Sequence, residues 1–78
     1  MKLTYDAKAN VAYIRLREKA GDVETIKVTD DLLIDLSPDG TVFGIELLNA
    51  NDQLGKSDDG NVVVVDPTSG KETTLKVA

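Results

Sequence analysis

The chain has 78 residues, a net charge of −5 and 41% apolar residues, with no histidine, cysteine or tryptophan. So short a chain holds one domain, and the missing residue types exclude disulfides, thiol catalysis, cysteine–histidine zinc sites and every histidine-based triad. The acidic balance opposes contact with a phosphate backbone, so no nucleic-acid partner is expected.

Period-2 alternation recurs along the chain and helical periodicity hardly appears, which predicts a mainly β fold. Leu3-Thr4-Tyr5 lies in a first strand near 2–5, ended by the polar turn Asp6-Ala7-Lys8-Ala9-Asn10. The second strand spans about 11–17, with Ala12, Ile14 and Leu16 on one face. A charged loop from Arg17 to Asp22 leads to a third strand near 23–28. Thr29-Asp30-Asp31 reverses the chain into a fourth strand near 31–37, and Pro38-Asp39-Gly40 turns it into a fifth near 42–49. All five are expected to be antiparallel and in meander order. Residues 49–54 read as one short helical turn, capped by an asparagine and closed by Gly55. A polar linker, Lys56 to Gly60, then leads to a separate hairpin at 61–66 and 71–77. The whole is one domain, a meander over 1–54 followed by a linker and hairpin extension over 55–78.

The opening Met1-Lys2-Leu3-Thr4-Tyr5-Asp6 has polar residues where a signal peptide needs an apolar run, and no aliphatic stretch approaches a membrane span. A cytoplasmic protein with no membrane partner is expected.

The turn at Pro38–Gly40 decides which side chains share a face. A three-residue loop would place Glu46 among Leu32, Ile34 and Leu36, and stranding a carboxylate there costs several kcal/mol. A two- or four-residue loop instead gathers Leu32, Ile34, Leu36, Phe43, Ile45 and Leu47 on one face. The other face then holds Leu33, Asp35, Ser37, Val42, Gly44, Glu46 and Leu48. That register is the one expected. It places Asp35 and Glu46 together, one diagonal apart, as an acidic contact pair on the open side of the sheet.

Other features read as structural. Asp52 and Asp58-Asp59-Gly60 lack the spacing of a calcium loop, so no metal site is assigned. Gly44 reads as a strand glycine that allows close approach or a bulge. Tyr5 and Tyr13 read as amphipathic residues at the edge of the core. Ser57 and Ser69 have no histidine base to activate them. Val62-Val63-Val64-Val65 offers aliphatic side chains to both faces of its strand and needs cover. Val63 and Val65, with Leu33 and Leu48 on the sheet, form the expected assembly surface.

Met1-Lys2-x-x-Tyr5-Asp6, then Ala12-Tyr13-Ile14-x-Leu16, then Ile34-Asp35-Leu36 with Asp39-Gly40, then Gly44-Ile45-Glu46-x-Leu48-x-Ala50 form an ordered series. Over residues 1 to about 54 it resembles the YuzE-like family of small prokaryotic proteins (domain of unknown function 2283). The resemblance implies an antiparallel meander closed by a short helix and no established activity. Some relatives are thought to sit beside toxin-like genes, which would imply an antitoxin-like role.

The expected function is therefore that of a non-catalytic β-domain working through protein contacts as a homodimer, with no cofactor. The alternative is an acidic module that binds a divalent cation or a basic protein through Asp35, Glu46, Asp58 and Asp59. A third reading is an enzyme using Asp35 and Glu46.

Overall fold

The computed structural model describes residues 1–18, 21–54 and 60–77. Five strands, β1 (Lys2–Asp6), β2 (Val11–Arg15), β3 (Glu24–Thr29), β4 (Leu32–Leu36) and β5 (Val42–Leu48), form one antiparallel sheet. A short helix, α1 (Ala50–Leu54), follows, and β6 (Asn61–Asp66) and β7 (Lys71–Lys76) make a separate hairpin. The mainly β class, the single helical turn and the C-terminal hairpin are as the alternation predicts. No helix among the described residues is long and apolar enough to cross a membrane.

The order across the sheet is β1-β2-β5-β4-β3, not the consecutive order expected. Two hairpin-linked units, β1-β2 and β3-β4-β5, are joined by the pairing of β2 with β5. Placing β5 in the middle lets its long apolar run, Val42 to Leu48, be covered by strands on both sides. The weakest strand, β3, becomes an edge exposed along its whole length.

The register between β4 and β5 is the expected one, but its cause differs. Leu33 lies opposite Glu46, Ile34 opposite Ile45 and Asp35 opposite Gly44. The loop, however, has three residues: Ser37 N–H donates to the Thr41 carbonyl, and Gly40 N–H donates to the Ser37 carbonyl. Gly40 takes a positive φ of 86°, which glycine adopts without strain. A β-bulge between Asp35 and Leu36, across from Phe43, then resets the pairing by one residue. The bulge keeps Glu46 off the aliphatic face, so turn length alone does not fix the register. It also pairs Val42 with Leu36, which moves Val42 from the polar face expected for it to the aliphatic one.

Helix α1 is not held by its own asparagine cap in the way expected. Asn10, at the end of the β1–β2 turn, accepts a hydrogen bond from Asn51 N–H through Oδ1 at 2.7 Å. Its carbonyl accepts from Ala50 N–H, and its Nδ2 donates to Asn49 and Asn51. Both Asn10 and Asn49 have left-handed backbones, with φ of 60° and 52°, a conformation asparagine tolerates better than most residues. The side chain of Gln53 donates to the carbonyls of Asp31 and Leu48. These bonds tie α1 across the ends of β2, β4 and β5. Ala12 and Ala50 are fully buried, whereas no large side chain among the described residues is. Gly55, expected to close the helix, and the linker residues 56–59 lie outside the described residues.

Candidate functional site

Strand pairing sorts the five-stranded sheet into two faces with different chemistry. On one face a row of aliphatic side chains crosses all five strands in register: Leu3, Ile14, Ile45, Ile34 and Ile26. Beside it run Tyr5, Ala12, Leu47 and Leu32. Beyond the row on the other side lie Leu36 and Val42, with Glu24 at the edge as the charged member. The two edges of this face meet solvent: Leu3 is 36%, Ile26 42% and Val28, on the bulged edge, 51% exposed, while its centre is half-buried. α1, beside β2, is the one described element with an extended contact on the sheet.

The opposite face is polar. One row reads Thr4, Tyr13, Glu46, Leu33 and Lys27, and the next reads Lys2, Arg15, Gly44, Asp35 and Thr25. Asp35 and Glu46 therefore share this face, on neighbouring strands and one diagonal apart. What sequence reasoning missed is Tyr13. Its ring leans across β5 into the second row, where its hydroxyl donates to Asp35 Oδ2 at 2.6 Å. Gly44 makes this possible, because a Cβ built there would stand 2.2 Å from the Tyr13 hydroxyl oxygen. The close approach expected of Gly44 thus has a named visitor. From the other side Thr25 Oγ1 donates to Asp35 Oδ1, also at 2.6 Å.

This cross-strand chain links β2, β4 and β3 over the floor of β5. Burial pushes the Tyr13 phenol up to about 12, with the hydrogen bond to Asp35 and the charges of Asp35 and Glu46 adding to the shift. A phenol so raised stays protonated at neutral pH and keeps donating. Each Asp35 oxygen accepts one of these bonds, so the carboxylate acts as a strut between strands. The signal that could have found the contact was the pairing of a strand glycine with an aromatic on the strand beside it. It became readable only once β2 lies beside β5.

The remaining expected residues fall elsewhere. Leu33 and Leu48 are half-buried on the polar face, Leu48 lying opposite Val11. Val63 and Val65 face Thr74 and Glu72 across the C-terminal hairpin, with Val65 50% exposed. β6 and β7 hydrogen-bond with each other and with no strand of the larger sheet. Asp58 and Asp59 lie outside the described residues, as does Ser57. Among the described residues no group of three or more acidic, histidine or cysteine side chains is placed to hold a metal ion.

In comparison with known proteins, residues 2–51 match the model of a family described as "Protein of unknown function (DUF2283)". The match spans β1 to the start of α1, which includes both faces of the sheet. No curated protein matches the chain, and no solved structure does.

Proposed function

The chain belongs to the DUF2283 family, and we propose that it is a non-catalytic β-domain that works through contact with another protein, made by the aliphatic face of its five-stranded sheet. The observation that carries this reading is the aliphatic row from Leu3 to Ile26, which spans every strand, is half-buried at its centre and is exposed at both ends. A contiguous apolar patch on a small domain marks a site of association. Covering one such Ile or Leu side chain is worth roughly 1.5–3 kcal/mol, a large share of what so small a core supplies. The acidic alternative has less behind it. Among the described residues, Asp35, one diagonal from Glu46 on this face, already accepts from Tyr13 and Thr25.

The absence of native cysteine allows a direct test. Ile26 and its neighbour Lys27 sit on opposite faces of the exposed strand β3. In cells that make the chain at its native level, an Ile26→Cys thiol should react with a permeant maleimide about tenfold more slowly than a Lys27→Cys thiol, as a site mostly occupied by partner requires. Equal rates would overturn the reading.

A further inference from the structure

The two edges of the five-stranded sheet are finished differently. Strand β3 carries a bulge between Lys27 and Thr29, and Lys27 pairs with Asp30 at 3.0 Å. A bulged, charged edge resists the addition of another strand. Strand β1, at the other edge, has no bulge and keeps one register with β2 from Lys2 to Asp6.

Leu16 shows which main-chain groups of β1 are left over. Its N–H donates to the Phe43 carbonyl, so Ala12 and Ile14 also bond toward β5, while Val11, Tyr13 and Arg15 bond toward β1. Their partners Asp6, Thr4 and Lys2 therefore spend their main-chain groups on β2. The N–H and C=O of Leu3 and Tyr5 point out of the sheet, where no described strand meets them.

We infer that this edge pairs with the β1 edge of a second copy of the chain, antiparallel, about a twofold axis through Thr4. The contact uses a different surface from the aliphatic face and stands without the reading above.

What points to a second copy is the segment Lys2-Leu3-Thr4-Tyr5-Asp6, which complements itself when reversed. A twofold axis perpendicular to the sheet sets Lys2 opposite Asp6 of the second copy, Leu3 opposite its Tyr5 and Thr4 opposite its Thr4. Opposite charges meet at both ends, and each face of one sheet continues into the same face of the other. Leu3 N–H donates to the Tyr5 carbonyl across the axis, and Tyr5 N–H to the Leu3 carbonyl. Lys2 has a particular need of such a partner. Within its own chain it lies directly opposite Arg15, a like-charge pair that opposes strand pairing. Asp6 of the second copy supplies the opposite charge through Oδ2, since Oδ1 accepts from the amides of Lys8 and Ala9 in its own turn.

The β3 edge fails the same comparison. Centred on Ile26 it would set Glu24 against Val28, and centred on Lys27 it would set two ammonium groups face to face. Strand β7, centred on Thr74, would match Glu72 with Lys76. It would join only two-stranded ribbons, whereas pairing at β1 doubles the larger sheet.

Light scattering on the full chain should give twice the mass of one chain at micromolar concentration. Thr4 faces its own image as a non-hydrogen-bonded pair, with Cα atoms ~4.5 Å apart, a separation that a disulfide spans. With no native cysteine in the chain, Thr4→Cys should oxidise to a covalent dimer at least about tenfold faster than Lys27→Cys on the other edge. Leu3→Pro removes a donor that β2 does not use. It should leave the far-UV circular dichroism unchanged and weaken the dimer about tenfold or more, one hydrogen bond being lost from each copy. Lys2→Glu relieves the repulsion with Arg15 but sets two carboxylates together across the axis, so it should weaken the dimer while the monomer stays folded. A wild-type chain that stays monomeric throughout the micromolar range overturns the inference. So does a dimer whose Thr4→Cys thiols oxidise no faster than those of Lys27→Cys, a readout that stands even if Leu3→Pro fails to fold. A dimer that survives Lys2→Glu unweakened, or that locks through Thr74→Cys instead, overturns it as well.

Discussion

Tyr13 and Gly44 depend on each other. The hydroxyl reaches Asp35 only because position 44 has no Cβ, and a methyl there would meet the hydroxyl oxygen at 2.2 Å and the ring carbon bearing it at 2.5 Å. Gly44→Ala should therefore expel the ring, break the bond to Asp35 and cost about 2–4 kcal/mol, as overpacking and a lost charged hydrogen bond add. Chemical denaturation measures this, and in a Tyr13→Ala background the same substitution should cost far less. The phenol also makes stability depend on pH. Its ordinary value is 10.0 and the fold raises it to about 12, so the folded state favours the protonated form. That stabilisation is complete below about pH 10 and disappears as pH climbs toward 12. The stability gap between wild type and Tyr13→Phe should hold constant at neutral pH and shrink across that alkaline window, as followed by denaturant midpoints.

At the scale of elements, the bulge opposite Leu36 separates two things that hairpins usually couple, loop length and facial identity. The three-residue loop Pro38–Gly40 alone would have put Glu46 with the aliphatic residues, and the inserted residue on β5 reverses that. Deleting Phe43 should leave a regular ladder in which Ile34 still faces Ile45 and Asp35 still faces Gly44. The cost should be roughly 1–3 kcal/mol for the lost ring and for the bond that Leu16 N–H donates to the Phe43 carbonyl. Cross-strand nuclear Overhauser contacts between Ile34 and Ile45 would verify the retained register, and their loss would show that the bulge does not set it. The shared face of Asp35 and Glu46 was legible in the sequence because burying a carboxylate is costly under any turn. The bulge was not, since two errors of one residue cancel and leave the same alternation. Asn10 escaped notice as the clasp of α1 for a related reason: it reads as an ordinary turn residue, and its partners lie some 40 positions away.

At the scale of the whole molecule, the strands were legible and their neighbours were not. Alternation in Val11–Arg15 or Val42–Leu48 reports a pleated, half-buried segment but carries no label for the strand beside it. Turn chemistry supplies that label only for consecutive strands, so the β2–β5 contact, and with it the reach of Tyr13 to Asp35, had no local signature. With β5 in the middle, one aliphatic side chain from each of the five strands falls into a single row through Ile45.

The central position of β5 also fixes the order in which the sheet can be completed. It is the last of the five strands in the chain, yet β2 and β4 both depend on it for a neighbour. Until residues 42–48 have left the ribosome, the nascent chain holds only two marginal hairpin halves with open edges, neither stable alone in water. Strand β5 then closes both at once, across a separation in sequence that reaches from Val11 to Leu48. Such a distant closure must lose its loop entropy before any contact repays it. The nascent chain therefore has no stable way station, and folding waits for its fifth strand.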